Sequence, residues 1–87
     1  KAYANLAAIH LKRHQLSDAK KYYSCALDLD PNAADVHFNM GVITSDQGNL
    51  QRAITHYEKA IAQQPNYPEA LQNLGACYYK LKNKLLS

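Results

Sequence analysis

The residues best equipped for chemistry in this chain are three asparagines set 34 residues apart, Asn5, Asn39 and Asn73. A primary amide both donates and accepts hydrogen bonds, so it can pair with a peptide backbone whatever side chains that backbone carries. Asparagine is disfavoured in helices by up to about 0.7 kcal/mol relative to alanine. Three of them in one repeating position therefore imply a use. Two uses fit: gripping the main chain of a bound segment, or bonding a neighbouring helix.

The other reactive side chains point to packing. His10 and His14 are four apart, the spacing of helical metal-binding pairs. No third ligand follows nearby, so the expectation is a packed His10, a solvated His14 and no metal. His37 and His56 are read as structural, with His56 on a helix surface. Cys25 and Cys77 form no CxxC pair, which suits free thiols in a cytoplasmic or nuclear protein. Cys77 stands where Ile43 and Ile9 stand one and two periods earlier and reads as a small core residue. Cys25 falls on a polar helix face. No glycine-rich phosphate loop, nucleophile triad or paired carboxylates can be placed, so neither catalysis nor a cofactor is expected.

The elements that position these residues come from the same period. Ala19 returns as Ala53, Tyr23 as Tyr57, Ala26 as Ala60 and Pro31 as Pro65; Ala7, Gly41 and Gly75 share one column. A fixed period of this length marks a stacked array of small helical units. Apolar residues at helical spacing predict helices over 1 to about 14, Ser17 to Leu29, a third from Asn32, a fourth after Gly48-Asn49, and a fifth from about Pro68 to Leu81 or beyond. Asn32 with Asp35, and Asn66 with Glu69, look like helix N-caps. Gly48 suits a left-handed turn and Asn49 a cap. Connections of two to four residues make successive helices antiparallel.

The chain has 87 residues and a net charge of +3. Lys12, Arg13, Lys80, Lys82 and Lys84 gather near helix ends, where cations complement the helix dipole. Nucleic acid is not an expected partner. No apolar run approaches the roughly 20 residues that a membrane span needs. The chain begins within the pattern and reads as an excised piece of a longer array.

These residues resemble the tetratricopeptide repeat (TPR) family, whose pattern is W-x2-L-G-x2-Y, then A-x3-F, then A and P. The first repeat gives Tyr3, Leu6, Ala7, His10, Ala19, Tyr23, Ala26 and Pro31. The second gives His37, Met40, Gly41, Thr44, Ala53, Tyr57, Ala60 and Pro65. The third gives Leu71, Leu74, Gly75 and Tyr78. No repeat has tryptophan in the first column, and His10 and Thr44 replace the usual tyrosine. The resemblance implies an all-α TPR α-solenoid, antiparallel helix pairs stacked in a right-handed superhelix, with repeat one at 1–33, repeat two at 34–67 and the first helix of repeat three at 68–87.

In such arrays the first helix of each pair lines a concave groove that binds peptide. Carried over column by column, the peptide-binding residues are Asn5, Ala8 and Lys12, then Phe38, Asn39 and Val42, then Gln72, Asn73 and Ala76, with Ala4, Asp46 and Lys80 beside them. Packed helices lie about 8–10 Å apart, and an extended peptide advances about 3.3–3.6 Å per residue. One asparagine per repeat then meets roughly every third peptide residue. The column resembles the asparagine ladder in the TPR superhelix of O-linked N-acetylglucosamine transferases. It does not resemble the carboxylate clamp of chaperone-binding TPR domains. Ala4 and Ala8 lack the clamp's cations, and Glu69 would repel an acidic tail.

The resemblance thus implies a protein–protein interaction module that binds an extended segment of a protein partner. Two alternatives stand beside it. One is a self-assembling scaffold or homo-oligomer through an uncapped fifth helix, whose Leu71, Leu74, Tyr78 and Leu81 are expected to lack partners within the chain. The other is a substrate-recruiting arm of a glycosyltransferase-like enzyme. Lys84 falls where Leu16 and Leu50 sit, so either the chain is cut as a sixth helix begins or the fifth helix extends.

Overall fold

The computed structural model describes residues 2–86. It has five helices: α1 (Ala2–Lys12), α2 (Leu16–Leu29), α3 (Ala34–Asp46), α4 (Leu50–Gln63) and α5 (Pro68–Leu86). Each packs on the next, and α3 also touches α5, the skipped contact that turns helix pairs into a solenoid. The result is elongated, 42 × 28 × 18 Å.

The turns follow from local chemistry. His14 takes a left-handed φ of 58° between α1 and α2, so it lies outside the helix and shares no helical face with His10. His10 instead bonds the Gln15 side chain at 2.7 Å and stacks on Tyr22. Gly48 has φ 85°, a conformation that glycine adopts without steric cost. Asn49 caps α4 by accepting the Arg52 N–H at 3.2 Å. The other two expected caps are corrected. The residue capping α3 is Ala33, because the Asp30 carboxylate holds the Asn32 N–H at 3.3 Å in the turn before it. Ahead of α5, the Tyr67 carbonyl accepts the first helical bond, from Leu71 N–H, which leaves Asn66 outside the cap.

Two clusters make the core. Ala7, Ala19, Tyr23, Ala26, Val36, Met40 and Ile43 join α1, α2 and α3. Ala53, Ile54, Tyr57 and Cys77 join α4 to α5, with Phe38, Val42, Leu74 and Leu81 packed around them. The small residues set the helix spacing. A Cβ added to Gly41 would lie 2.6 Å from a Tyr57 ring carbon, so glycine is what lets that ring settle against α3. A Cβ added to Gly75 would meet nothing within 4 Å.

The expected open face of α5 is half corrected. The helix extends to Leu86, but Leu74 and Leu81 turn towards α4 and are partly buried against the second cluster. Leu71, Tyr78 and Leu85 stay exposed, with Gly75 on the same side. The Tyr78 hydroxyl donates to Glu58 of α4 at 3.1 Å.

His56 is also corrected: it is half-buried and faces His37, their rings 5.8 Å apart. His37 Nε2 donates to the Pro31 carbonyl at 2.8 Å. Nδ1 of both rings is buried without a hydrogen-bond partner. Burial, then repulsion from His37, Lys59, Arg52 and Lys20, lowers the His56 pKa to about 4.

Two outcomes follow for stability. Gly41→Ala should destabilise by about 1–3 kcal/mol through overpacking against Tyr57, whereas Gly75→Ala should stabilise by up to about 1 kcal/mol through helix propensity. Thermal melts of the two variants should move in opposite directions. His56 is harder to protonate folded than unfolded, so stability is full above about pH 6.5 and declines as pH falls towards 4. The effect is about 1–2 kcal/mol once solvent screening of a half-buried ring is allowed for. His56→Tyr, which installs the side chain of Tyr22 from repeat one, should flatten that slope in melts across this range. An unchanged slope would assign the acid sensitivity to other groups.

Candidate functional site

The face expected to bind is carried by α1, α3 and α5. Helix α3 shows how the sequence divides it. Val36, His37, Met40, Gly41, Ile43 and Thr44 are buried between its neighbours. Thr44 turns its hydroxyl back onto the Met40 carbonyl at 2.9 Å, which satisfies a polar group inside the core. Asn39 and Val42 lie half-buried at the edge, and Asp46 is exposed. On α1, Asn5 and Lys12 are exposed and Ala8 is half-buried; on α5, Gln72 and Ala76 are exposed and Asn73 is half-buried.

Only part of this set converges. Val42 and Asp46 of α3 meet Asn73, Ala76 and Lys80 of α5 around a cavity of about 180 Å³. Ser45, Tyr57 and Cys77 complete its lining. Asn5, Ala8, Lys12, Asn39, Phe38 and Gln72 do not line it. Phe38 lies against two rings instead, 5.9 Å from Tyr57 and 5.3 Å from Tyr67, with the Tyr67 ring nearly parallel to its own. Tyr67, which stands where repeat one has Ala33, escaped the sequence reading, as did Ser45 and the Tyr57 hydroxyl.

The floor of the cavity is polar and neutral. Burial, reinforced by Cys77 and Asp46, pushes the Tyr57 hydroxyl up to about 12. The Asn73 amide opposes this by hydrogen bonding to the phenol oxygen. An interaction that favours the phenolate is one in which the amide N–H donates. One member of the asparagine column is thus engaged with α4 and is not wholly free for a ligand. The Cys77 thiol sits 3.9 Å from the Ser45 hydroxyl. These groups can donate, accept and exclude water in part. They contain no base held against a nucleophile.

Comparison with known proteins bears on what such a face does. Residues 1–33 match the model of the tetratricopeptide repeat, and residues 43–82 match a TPR repeat model. The chain is 39% identical over 67 residues to the photosystem I assembly protein Ycf3 of Prochlorococcus marinus, a match covering 74% of this chain and 39% of that protein. It is 33% identical over 73 residues to a probable biofilm formation methyltransferase, WspC, of Pseudomonas putida, covering 84% of this chain and 16% of that protein. Among solved structures, the crystal structure of MamA superposes with a TM-score of 0.90 at 26% identity, over 93% of this chain and 47% of that one. The chain therefore spans less than half the length of each of these proteins. The relatives named for assembly and for methyl transfer share the helical repeat with this chain.

Proposed function

Because the chain belongs to the tetratricopeptide repeat family, a family of protein-interaction modules, we propose that it holds an extended segment of a protein partner along the face of α1, α3 and α5. The observation that carries this reading is the division of α3, whose two packed sides are buried while Asn39, Val42 and Asp46 line up towards solvent beside Asn73, Ala76 and Lys80. A non-enzymatic adaptor role accords with a relative named as an assembly protein. The two free cysteines suit the cytoplasm or nucleus. Among the described residues no helix is long and apolar enough to cross a membrane.

The asparagine column divides by duty. Asn73 braces Tyr57, whereas Asn39 sits half-open at the middle of the face. Asn39→Ala should weaken a selected peptide by about 1–3 kcal/mol, the cost of leaving a desolvated peptide group unpaired, with little change in melting. Asn73→Ala should lower the melting temperature as well, since it strips a partner from a buried hydroxyl. The measurement is a binding titration of parent and variants with one peptide, paired with melts. If Asn39→Ala binds as the parent does but melts far lower, the residue is structural and the groove reading fails.

A second reading, self-association through α5, is favoured by the exposed Leu71, Tyr78 and Leu85 on one side of that helix. Their spacing of seven, with Gly75 between Leu71 and Tyr78, gives a seam on which another helix can lie. Leu74 and Leu81 are already used within the chain and do not contribute freely. Sedimentation should show concentration-dependent association that Leu71→Glu and Tyr78→Glu abolish. A monomer at every concentration would remove this reading.

A further inference from the structure

The cavity between α3 and α5 has a counterpart position in the first repeat, where three of its lining residues are bulkier. Shifting its lining by one period replaces Ser45 with Leu11, Ala76 with Val42 and Cys77 with Ile43, while Tyr57 becomes Tyr23 and Asn73 becomes Asn39. Ile43 is fully buried and Leu11 is packed into the first cluster. Of the eight lining positions these three carry smaller side chains at the α3–α5 junction than one period earlier, while Val42 is larger than its counterpart Ala8. The α1–α3 position thus carries bulkier apolar residues at Leu11, Val42 and Ile43 than the α3–α5 junction does at Ser45, Ala76 and Cys77.

Its chemistry narrows the guest. Ser45 offers a hydroxyl on one wall. The Tyr57 hydroxyl and the Asn73 amide stand in the same lining and bring a donor and an acceptor each. Asp46 and Lys80, both exposed, stand in the lining with opposite charges. A charged guest that paired with one would be repelled by the other. A neutral group with a donor and an acceptor suits both, and a side-chain amide has two donors and a carbonyl. The volume of about 180 Å³ far exceeds the roughly 30 Å³ share of one water.

We propose that this cavity is a side-chain subsite for an asparagine or glutamine of the bound segment, opened by Ser45, Ala76 and Cys77 and read by Tyr57, Asp46 and Lys80. The inference rests on the groove reading and adds side-chain selection to it. The amide column grips any main chain, whereas the subsite picks one residue along it.

The test is selection of displayed random dodecapeptides on the 87-residue chain. The selected peptides are then titrated against the parent, Asn39→Ala, and the double variant Ser45→Leu with Ala76→Val, which restores the residues of the first repeat. Selected peptides should share an asparagine or glutamine at one position. Changing it to Leu, Glu or Lys should weaken binding to the parent about tenfold, the scale of leaving one hydrogen-bonded group unpaired. The same change should barely alter binding to the refilled double variant, whose melt should match or exceed the parent's. If the double variant does not fold, Ala76→Val alone serves. Peptides that lose affinity with Asn39→Ala but show no amide preference, or keep it in the refilled variant, overturn the subsite and leave the groove reading standing. Enrichment of no peptide, or of peptides indifferent to Asn39→Ala and to refilling alike, overturns the groove reading and the subsite with it.

Discussion

The structure depends on a tyrosine ring driven between helices at the junction of the last two elements of each unit. Tyr57 is almost wholly buried and lies so close to α3 that residue 41 has room for no side chain. The same ring meets Phe38, and its hydroxyl is bonded by Asn73 of α5. One side chain thus sets the spacing of α3 and α4 and fixes where α5 can lie. Tyr23 does the corresponding work beside Ala7, both buried in the first cluster. Repeat packing of this kind is a chain of nearest-neighbour contacts, and each ring is the part of the contact that cannot be compressed. The face left for binding is defined by what these rings do not cover.

Much of this was legible in the sequence because the period aligns residues with the same neighbours. The columns of Ala19 and Ala53, Tyr23 and Tyr57, and Pro31 and Pro65 gave the number of helices, their pairing and nearly all their limits. The caps before α3 and α5 were misplaced because propensity names a capping residue but not the rival that captures its backbone. Asp30 holds the Asn32 N–H, and the chain enters the helix one residue later. The apolar stripe of α5 was visible, but periodicity does not say which neighbour covers which edge. Leu74 and Leu81 pack against the second cluster, while Leu71 and Tyr78 stay exposed. In α3 the equivalents of Leu71, Leu74 and Tyr78 (His37, Met40 and Thr44) are all buried because helices cover both edges.

His56 shows what a column reading misses when only residue type is weighed. As a lone histidine among Thr55 and Tyr57 it looks like surface. One period earlier stands Tyr22, which stacks on Tyr3 at 6.4 Å; one period after Tyr3 stands His37. The ring pair Tyr3–Tyr22 is therefore rebuilt as His37–His56. The position asks for two flat rings, and the second repeat supplies imidazoles whose buried Nδ1 atoms lack partners. The polarity of the residue type hid a packing role that its place in the period disclosed.

The candidate site inverts that lesson. Equivalence by period makes the two junctions look alike, and three of the face residues it names, Val42, Asn73 and Ala76, line one cavity. What distinguishes the α3–α5 junction lies in the row behind that face, where Ser45 and Cys77 are smaller than Leu11 and Ile43. The asparagines divide for a similar reason. Burial pushes the Tyr57 hydroxyl up to about 12 against an opposing contribution from Asn73, while the Tyr23 hydroxyl is raised by burial and by Asp35 with no such contribution from Asn39. Identical residues in identical columns thus have different duties, because each column position borrows its surroundings from the unit before it. In a repeat array the period gives the scaffold, and the departures from it, read in the second row of side chains, give the places where one junction can recognise what the others cannot.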